Sequence, residues 1–409
     1  MADRFSKTAK SNTYKGGPFK SSILSILFLS FIFILNPLLG LLSIYMYVLI
    51  SKGNTLLIKY SGILLAIFLG CINSTKIPEN DMYNYLSFFD DAGEYSYIDY
   101  INHYNKEQVF FSLNYLLYIL LDGSKYMYIF TLTVISYIFL NTAVYKLSNA
   151  LNLNKSIQIT SIYLMSFTPY IFTISAQLIR QFIAGSILIY IITDLIFYGK
   201  KSWILSICMV LIHSTSLLFI PLLYIPYFKK KPNKKTYLFY FIVIFTILGI
   251  QKVADSILGF TSGATPLNYA LERASSSNIF EAKGLNIINI LVTISLSLIT
   301  IFITYISKTN FKNDSRLIHF TNIVTLLVLF ILGNLSQAHL SSRFNIYTWL
   351  LFPLIFTMSN IYKNVSPSKL TIITLSIMVF FIYYLDAGTW TYTIGNKIYY
   401  YTIFNYLIK

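Results

Sequence analysis

The sequence predicts an all-α, polytopic integral membrane protein, and three observations carry that expectation. Of its 409 residues, 56% are hydrophobic and 17% aromatic, while only 11% are charged; a soluble domain carries about 25% charged residues. Apolar stretches recur along nearly the whole chain, punctuated by short lysine-bearing loops. The ten-residue alternation that a transmembrane barrel requires is missing. Hydrocarbon offers no partner to a backbone polar group, so each apolar stretch is read as a helix. Roughly ten to thirteen membrane helices result, short and re-entrant ones included.

The net charge of +16 is dispersed among loops rather than gathered into one stripe. That is the pattern of positive cytoplasmic loops in a multispan protein, so lipids and not nucleic acid are the expected surroundings. Cys71 and Cys208 lie in apolar contexts and supply neither a disulfide framework nor a metal spacing. No phosphate-binding glycine loop is present. No metal and no cofactor are expected.

Placing the basic loops inside gives a consistent path. Residues 1–20, with Arg4, Lys7, Lys10, Lys15 and Lys20, read as a disordered basic cytoplasmic tail. Residues 21–386 read as a single helical membrane domain. It begins with a hairpin over 21–50, broken at Asn36-Pro37 and returning to Lys52 and Lys59. Residues 56–73 cross outward to the acidic loop 74–109. Seven of the fifteen acidic residues sit in that loop: Glu79, Asp81, Asp90, Asp91, Glu94, Asp99 and Glu107. Residues 108–121 are apolar but short, so an interfacial or re-entrant helix is expected. Crossings follow at 125–146, 156–176 and from Arg180 to Lys200-Lys201. Further crossings are read at 236–250, 285–306, 317–334, 344–362 and 370–386, with a second outer loop at 251–284. The aromatic stretch 387–409 is expected at the interface.

Residues 202–228 resist this scheme, because Lys200-Lys201 precede them and Lys229-Lys230-Lys231 follow. Both ends belong on the cytoplasmic side. Two half-length helices with a break near His213-Ser214-Thr215 resolve the conflict, and about eleven helical residues reach roughly half of the bilayer. Broken helices at that depth require a lining of protein or water.

Ionisable residues within or at the ends of apolar segments are costly and therefore candidates for function. They are Arg180 (SAQLIRQFIAGSI), His213 (VLIHSTSLLF), His339 and Arg343 (SQAHLSSRFNIY), Arg273 in the loop 251–284, and Asp81. Arginines at such a cavity suit a phosphate or diphosphate, because guanidinium forks grip its oxygens and stay charged when partly buried. The tyrosine-rich outer loops suit the apolar faces of sugars. A lipid-linked sugar diphosphate satisfies both requirements.

The chain resembles the Wzy-type polysaccharide polymerases, in particular their EpsG-like branch. Four motifs in order carry the resemblance over residues 55–365. They are Asp81-Met82-Tyr83-Asn84-Tyr85 with Phe88-Phe89, then Ile179-Arg180-Gln181-Phe182-Ile183-Ala184, then His213-Ser214-Thr215-Ser216, and last Ser342-Arg343-Phe344-Asn345-Ile346-Tyr347. The resemblance implies a bacterial inner-membrane glycosyltransferase whose architecture is compatible with the glycosyltransferase-C class, with loops 74–109 and 251–284 periplasmic. It would transfer a glycan from undecaprenyl diphosphate onto a lipid-linked repeat unit, without a cofactor, and its chain-length control implies a regulator protein as partner. Arg180, Gln181, Arg343, Arg273 and Tyr85 would bind the substrate and its diphosphate. Asp81, His339 and His213 are the candidates for general base, with Asp81 or His339 favoured because a loop residue reaches an acceptor more easily. An O-antigen ligase or other lipid-linked glycosyltransferase, and then a lipid-linked-oligosaccharide flippase or transporter, are the competing readings. Moderate outer loops argue against the ligase, and a single broken segment argues against the flippase.

Overall fold

The computed structural model describes residues 19–51, 55–105, 107–230, 314–333, 338–360, 366–387 and 392–407, with isolated positions between 235 and 298. Residues 1–18 of the expected basic tail, most of the spans at 236–250 and 285–306, and the loop 251–284 with Arg273 lie outside the described residues, while Phe19 and Lys20 already belong to a helix. Among those described, the chain is helical, and the sole β feature is an isolated bridge between Lys76 and Tyr392. Five helices are long and apolar enough to cross a membrane, or six if one bent pair is counted as a span. The chain is thus an all-α multi-pass membrane protein.

Helix α1 (Phe19–Leu35) and α2 (Pro37–Ile50) form the expected hairpin. Asn36 turns the chain: its side chain accepts from Leu39 N–H, and Pro37 occupies the first helical position, where no backbone donor is needed. The helices meet so closely that a Cβ on Gly40 would sit 2.4 Å from the Phe33 Cα. Helix α3 (Thr55–Asn73) packs on α7 (Lys125–Ala150) through small residues, with the Asn141 side chain donating to the Gly62 carbonyl at 2.9 Å.

Between them the acidic loop is folded. It holds α4 (Asp81–Asp91), α5 (Tyr97–Tyr104) and the short α6 (Gln108–Leu120). Aromatic rings knit these three together, with Phe88, Tyr100, Tyr104 and Phe111 in mutual contact. The loop is therefore a small aromatic-cored cap.

The span expected at 156–176 departs from a straight helix. It is a pair, α8 (Lys155–Phe167) and α9 (Pro169–Gln177), bent by 48°. Pro169 lacks the N–H that would bond the Met165 carbonyl, and the Thr168 hydroxyl donates to the Leu164 carbonyl at 2.6 Å. The single broken segment expected from sequence is thus corrected to two. Helix α10 (Ile179–Tyr198) follows after a turn at Leu178, and 89% of its apolar window is buried, which puts it at the centre of the bundle.

The conflict at 202–228 resolves as the sequence predicts. Helix α11 (Trp203–Ile212) ends at an extended His213, a 3-10 turn covers Ser214–Leu218, and α12 (Phe219–Tyr224) runs back. Trp203 and Tyr224 stack with centroids 4.0 Å apart, and Ser206 and Tyr224 hydroxyls lie 2.7 Å apart. Both ends of the segment therefore meet, with His213 at the tip. Helices α13 (Ser315–Gly333), α14 (Ala338–Ser359) and α15 (Pro367–Ala387) complete the bundle. Only 28% of the α15 window is buried, so α15 is peripheral.

A 3-10 turn at Gly395–Tyr399 and α16 (Ile403–Leu407) cross the end of the bundle that carries the cap. The backbone N–H of Thr393 donates to the Thr75 carbonyl at 2.9 Å, Asn36 donates to the Tyr399 carbonyl at 2.7 Å, and the Tyr126 hydroxyl donates to the Tyr406 carbonyl.

Candidate functional site

The tip of the α11–α12 hairpin, the first turn of α10, the start of α14 and the cap helices α4 and α6 converge at that same end. Each carries one of the polar motifs, so positions far apart in the chain become neighbours.

The hairpin break aims His213 inward. Its backbone N–H bonds the Met209 carbonyl at 3.1 Å, closing α11, and its own carbonyl accepts from Ser216 at 3.0 Å, opening the 3-10 turn. Extended backbone between two helical turns points the ring away from both. His213 Nδ1 lies 2.9 Å from Glu107 Oε1. Arg180 donates through Nη1 to Glu107 Oε2. One carboxylate thus joins a histidine and an arginine, and all three side chains are less than one-fifth exposed. Burial pushes the Glu107 carboxyl up. The hydrogen bond from His213, the Arg180 charge and the Ser214 backbone N–H outweigh it and hold the carboxyl below its usual range.

Aromatic faces hold the guanidinium of Arg180 from two sides. Its Cζ lies 5.3 Å from the Tyr85 ring centroid and 5.8 Å from that of Phe110. Burial pushes the Tyr85 phenol up, and the charges of Arg180, Asp81 and Arg343 all act on it. Tyr85 therefore stands among all three.

Arg343 is tied to the same place. Gln181 Nε2 donates to the Arg343 carbonyl at 2.6 Å, linking α10 to α14, and Asp81 Oδ2 lies 3.6 Å from Arg343 Nη2. One turn along α14, the Tyr347 hydroxyl lies 3.1 Å from Thr215 Oγ1 and 3.3 Å from Ser216 Oγ. Arg180, Gln181, His213, Asp81, Tyr85 and Arg343 are thus gathered into one cluster. His339 belongs to α14, but its side chain lies outside the described ones, as does Arg273 altogether.

Two further residues, one in the cluster and one on a neighbouring element, do not stand out as candidates from the sequence. Glu107 was one acid among seven in its loop. It was marked by immediately preceding the apolar run 108–121, the same position at the edge of an apolar segment that drew attention to Arg180. Lys76 is the other. With the Gln177 amide turned to suit its neighbours, Gln177 Oε1 accepts from Lys76 Nζ at 2.5 Å and Nε2 donates to the Glu79 carbonyl at 3.3 Å. Burial pushes the Lys76 ammonium down to about 7, against the opposing pull of Glu79. The amide partner, Gln177, ends α9 three residues before Arg180.

Two guanidiniums, each facing a carboxylate, stand together in a multi-pass membrane protein, with the rings of Tyr85 and Phe110 beside Arg180. The chain belongs to the EpsG family, whose model matches residues 59–407. Of the curated proteins and the solved structures compared with it, none matches significantly. Membership of that family gives a polysaccharide-polymerase-like function in outline.

Proposed function

We propose that the protein is a polymerase of lipid-linked glycan repeat units. It would transfer a growing glycan from polyprenyl diphosphate onto a second lipid-linked repeat unit at the outer face of the bacterial inner membrane. The observation that carries this reading is the meeting of Arg180 and Arg343 through the Gln181 bridge, beside two carboxylates and the aromatic face of Tyr85. A diphosphate leaving group develops charge as its bond to sugar breaks. Preorganised guanidiniums stabilise that charge in a water-poor site. The tip of a half-length helix, about 15 Å deep for ten residues, suits a substrate whose headgroup stays anchored in the bilayer.

The bend in α8–α9 removes one argument against a flippase, since two broken segments are now present. The family match and the paired arginines favour the polymerase over it.

Deleting the gene and displaying the surface glycan on a gel tests the reading. Loss of the ladder, with a core bearing a single repeat unit, is the expected result. Arg180→Ala and Arg343→Ala variants, verified in the membrane fraction, should each fail to restore it, because losing one such donor costs about 10²–10³ in rate. Polymer accumulating on the lipid carrier without attachment would mean a ligase. An unchanged ladder would return the flippase to the front.

A further inference from the structure

Glu107 receives two side-chain donors, and the arrangement leaves one reactive atom over. His213 Nδ1 and Arg180 Nη1 both reach its carboxylate. An ionised carboxylate only accepts hydrogen bonds, so His213 Nδ1 carries the hydrogen. In the neutral ring the lone pair then belongs to Nε2. That atom is buried and has no hydrogen-bond partner among the described residues, whereas the large majority of buried side-chain polar atoms are paired. It sits at the tip of a re-entrant hairpin, beside the guanidinium assigned to the diphosphate.

The backbone is arranged to deliver the carboxylate. Glu107 has a φ of 45° and Asn105 a φ of 40°, both in the left-handed region that side-chain-bearing residues rarely adopt. Together they turn the chain sharply between α5 and α6. A second candidate for the base, Asp81, is less suited: it faces Arg343 and is 41% exposed.

We propose that Glu107 is a positioning residue that locks His213 in the Nδ1–H tautomer, making Nε2 the base that takes the proton of the acceptor hydroxyl. The proposal rests on the polymerase reading. In the step, the acceptor oxygen bonds to the anomeric carbon of the donor sugar while the bond from that carbon to the diphosphate oxygen breaks. The electron pair leaves with the diphosphate, beside Arg180 and Arg343, and the hydroxyl proton passes to Nε2. The imidazolium that forms is stabilised by Glu107, as a carboxylate stabilises imidazolium in hydrolytic triads. A single carboxylate thereby aims both the base and the leaving-group cation.

Purified full-length protein in lipid nanodiscs would be assayed with the lipid-linked repeat unit extracted from the deletion strain. Glu107→Gln should lower kcat about 10²–10⁴-fold, the usual contribution of a positioned base, and leave KM nearly unchanged. Glu107→Asp should recover part of the rate. His213→Ala should be as slow as Glu107→Gln, and the double variant no slower, because the two act as a unit. Added imidazole should restore turnover to His213→Ala and not to Arg180→Ala. If alanine at the hairpin tip prevents insertion, His213→Gln carries the same expectation. An inserted His213 variant working at wild-type rate would overturn the proposal while leaving the polymerase reading intact. A Glu107→Gln variant that raised KM alone would overturn it too. Wild-type protein unable to extend the repeat unit would defeat both.

Discussion

Glu107 is the residue on which the site turns, and its ionisation sets a pH window. Its folded carboxyl lies below the usual value of about 4.3. The sign follows from linkage: a depressed acid contributes stability that is fully present above the unfolded value and is lost as pH falls through the folded one. Glu107→Gln strands Arg180 beside a neutral amide, which should cost about 1–3 kcal/mol. The melting-temperature gap between wild type and this variant should therefore stay constant from pH 8 to 5 and narrow as pH falls below about 4.3. Thermal unfolding in detergent across that range checks it. A gap that did not narrow at all on acidification would mean that packing, not charge, sets the difference.

The same residue shows where single-sequence reasoning stops. Arg180, His213 and Arg343 stood out because each interrupts or borders an apolar stretch, where charge is expensive. Asp81 and Tyr85 were visible only as parts of a motif. Glu107 is one of seven acids in its loop; its place at the edge of the apolar run 108–121 sets it apart, but nothing in the sequence says that it meets Arg180 and His213. Its selection depends on two left-handed residues and on a hairpin tip more than one hundred positions away.

At the scale of elements, the hairpin α1–α2 depends on one small residue. A methyl on Gly40 would meet the Phe33 Cα at 2.4 Å, a backbone atom that cannot step aside. Gly40→Ala should lower stability by about 1–3 kcal/mol, as overpacking does. A lower melting temperature, with the membrane-inserted fraction unchanged or reduced, is the expected outcome; an unaltered melt would mean the hairpin can open without loss. The short elements reveal how far periodicity reaches. The Asn36-Pro37 break and the half-length helices flanking His213 were legible, one from turn chemistry and the other from lysines at both ends. The bend at Thr168-Pro169 was passed over because the apolar run continues through it. Charge said nothing there, and the proline alone carried the signal.

For the whole molecule, the path of the chain makes a topological prediction. Trp203 and Tyr224 stack, so the residues just outside them share one side of the membrane. In a Cys208→Ser background, with the remaining Cys71 buried, single cysteines at Lys201 and Lys230 should be labelled from one side by an impermeant thiol reagent. A cysteine at Glu94, in the cap, should be labelled from the other. Labelling of Lys201 and Lys230 from opposite sides would mean that 202–228 spans the membrane once, and His213 would lose its place in the site.

What the sequence by itself determined was the class of molecule, the order of its helices, the re-entrant segment, and a short list of costly polar residues. Those features follow from local chemistry: hydropathy decides burial, proline and asparagine decide breaks, and lysines at both ends mark the re-entrant segment. What only the tertiary structure decided was partnership. Which acid meets Arg180, which nitrogen of His213 is left without a partner, and that Gln181 ties α10 to Arg343 all depend on helices distant in sequence. Their relative placement is set by packing, through the 48° bend of α8–α9 and the close contact of α3 with α7. Contacts across such distances leave no periodic trace in a single chain, because each residue meets its partner only once.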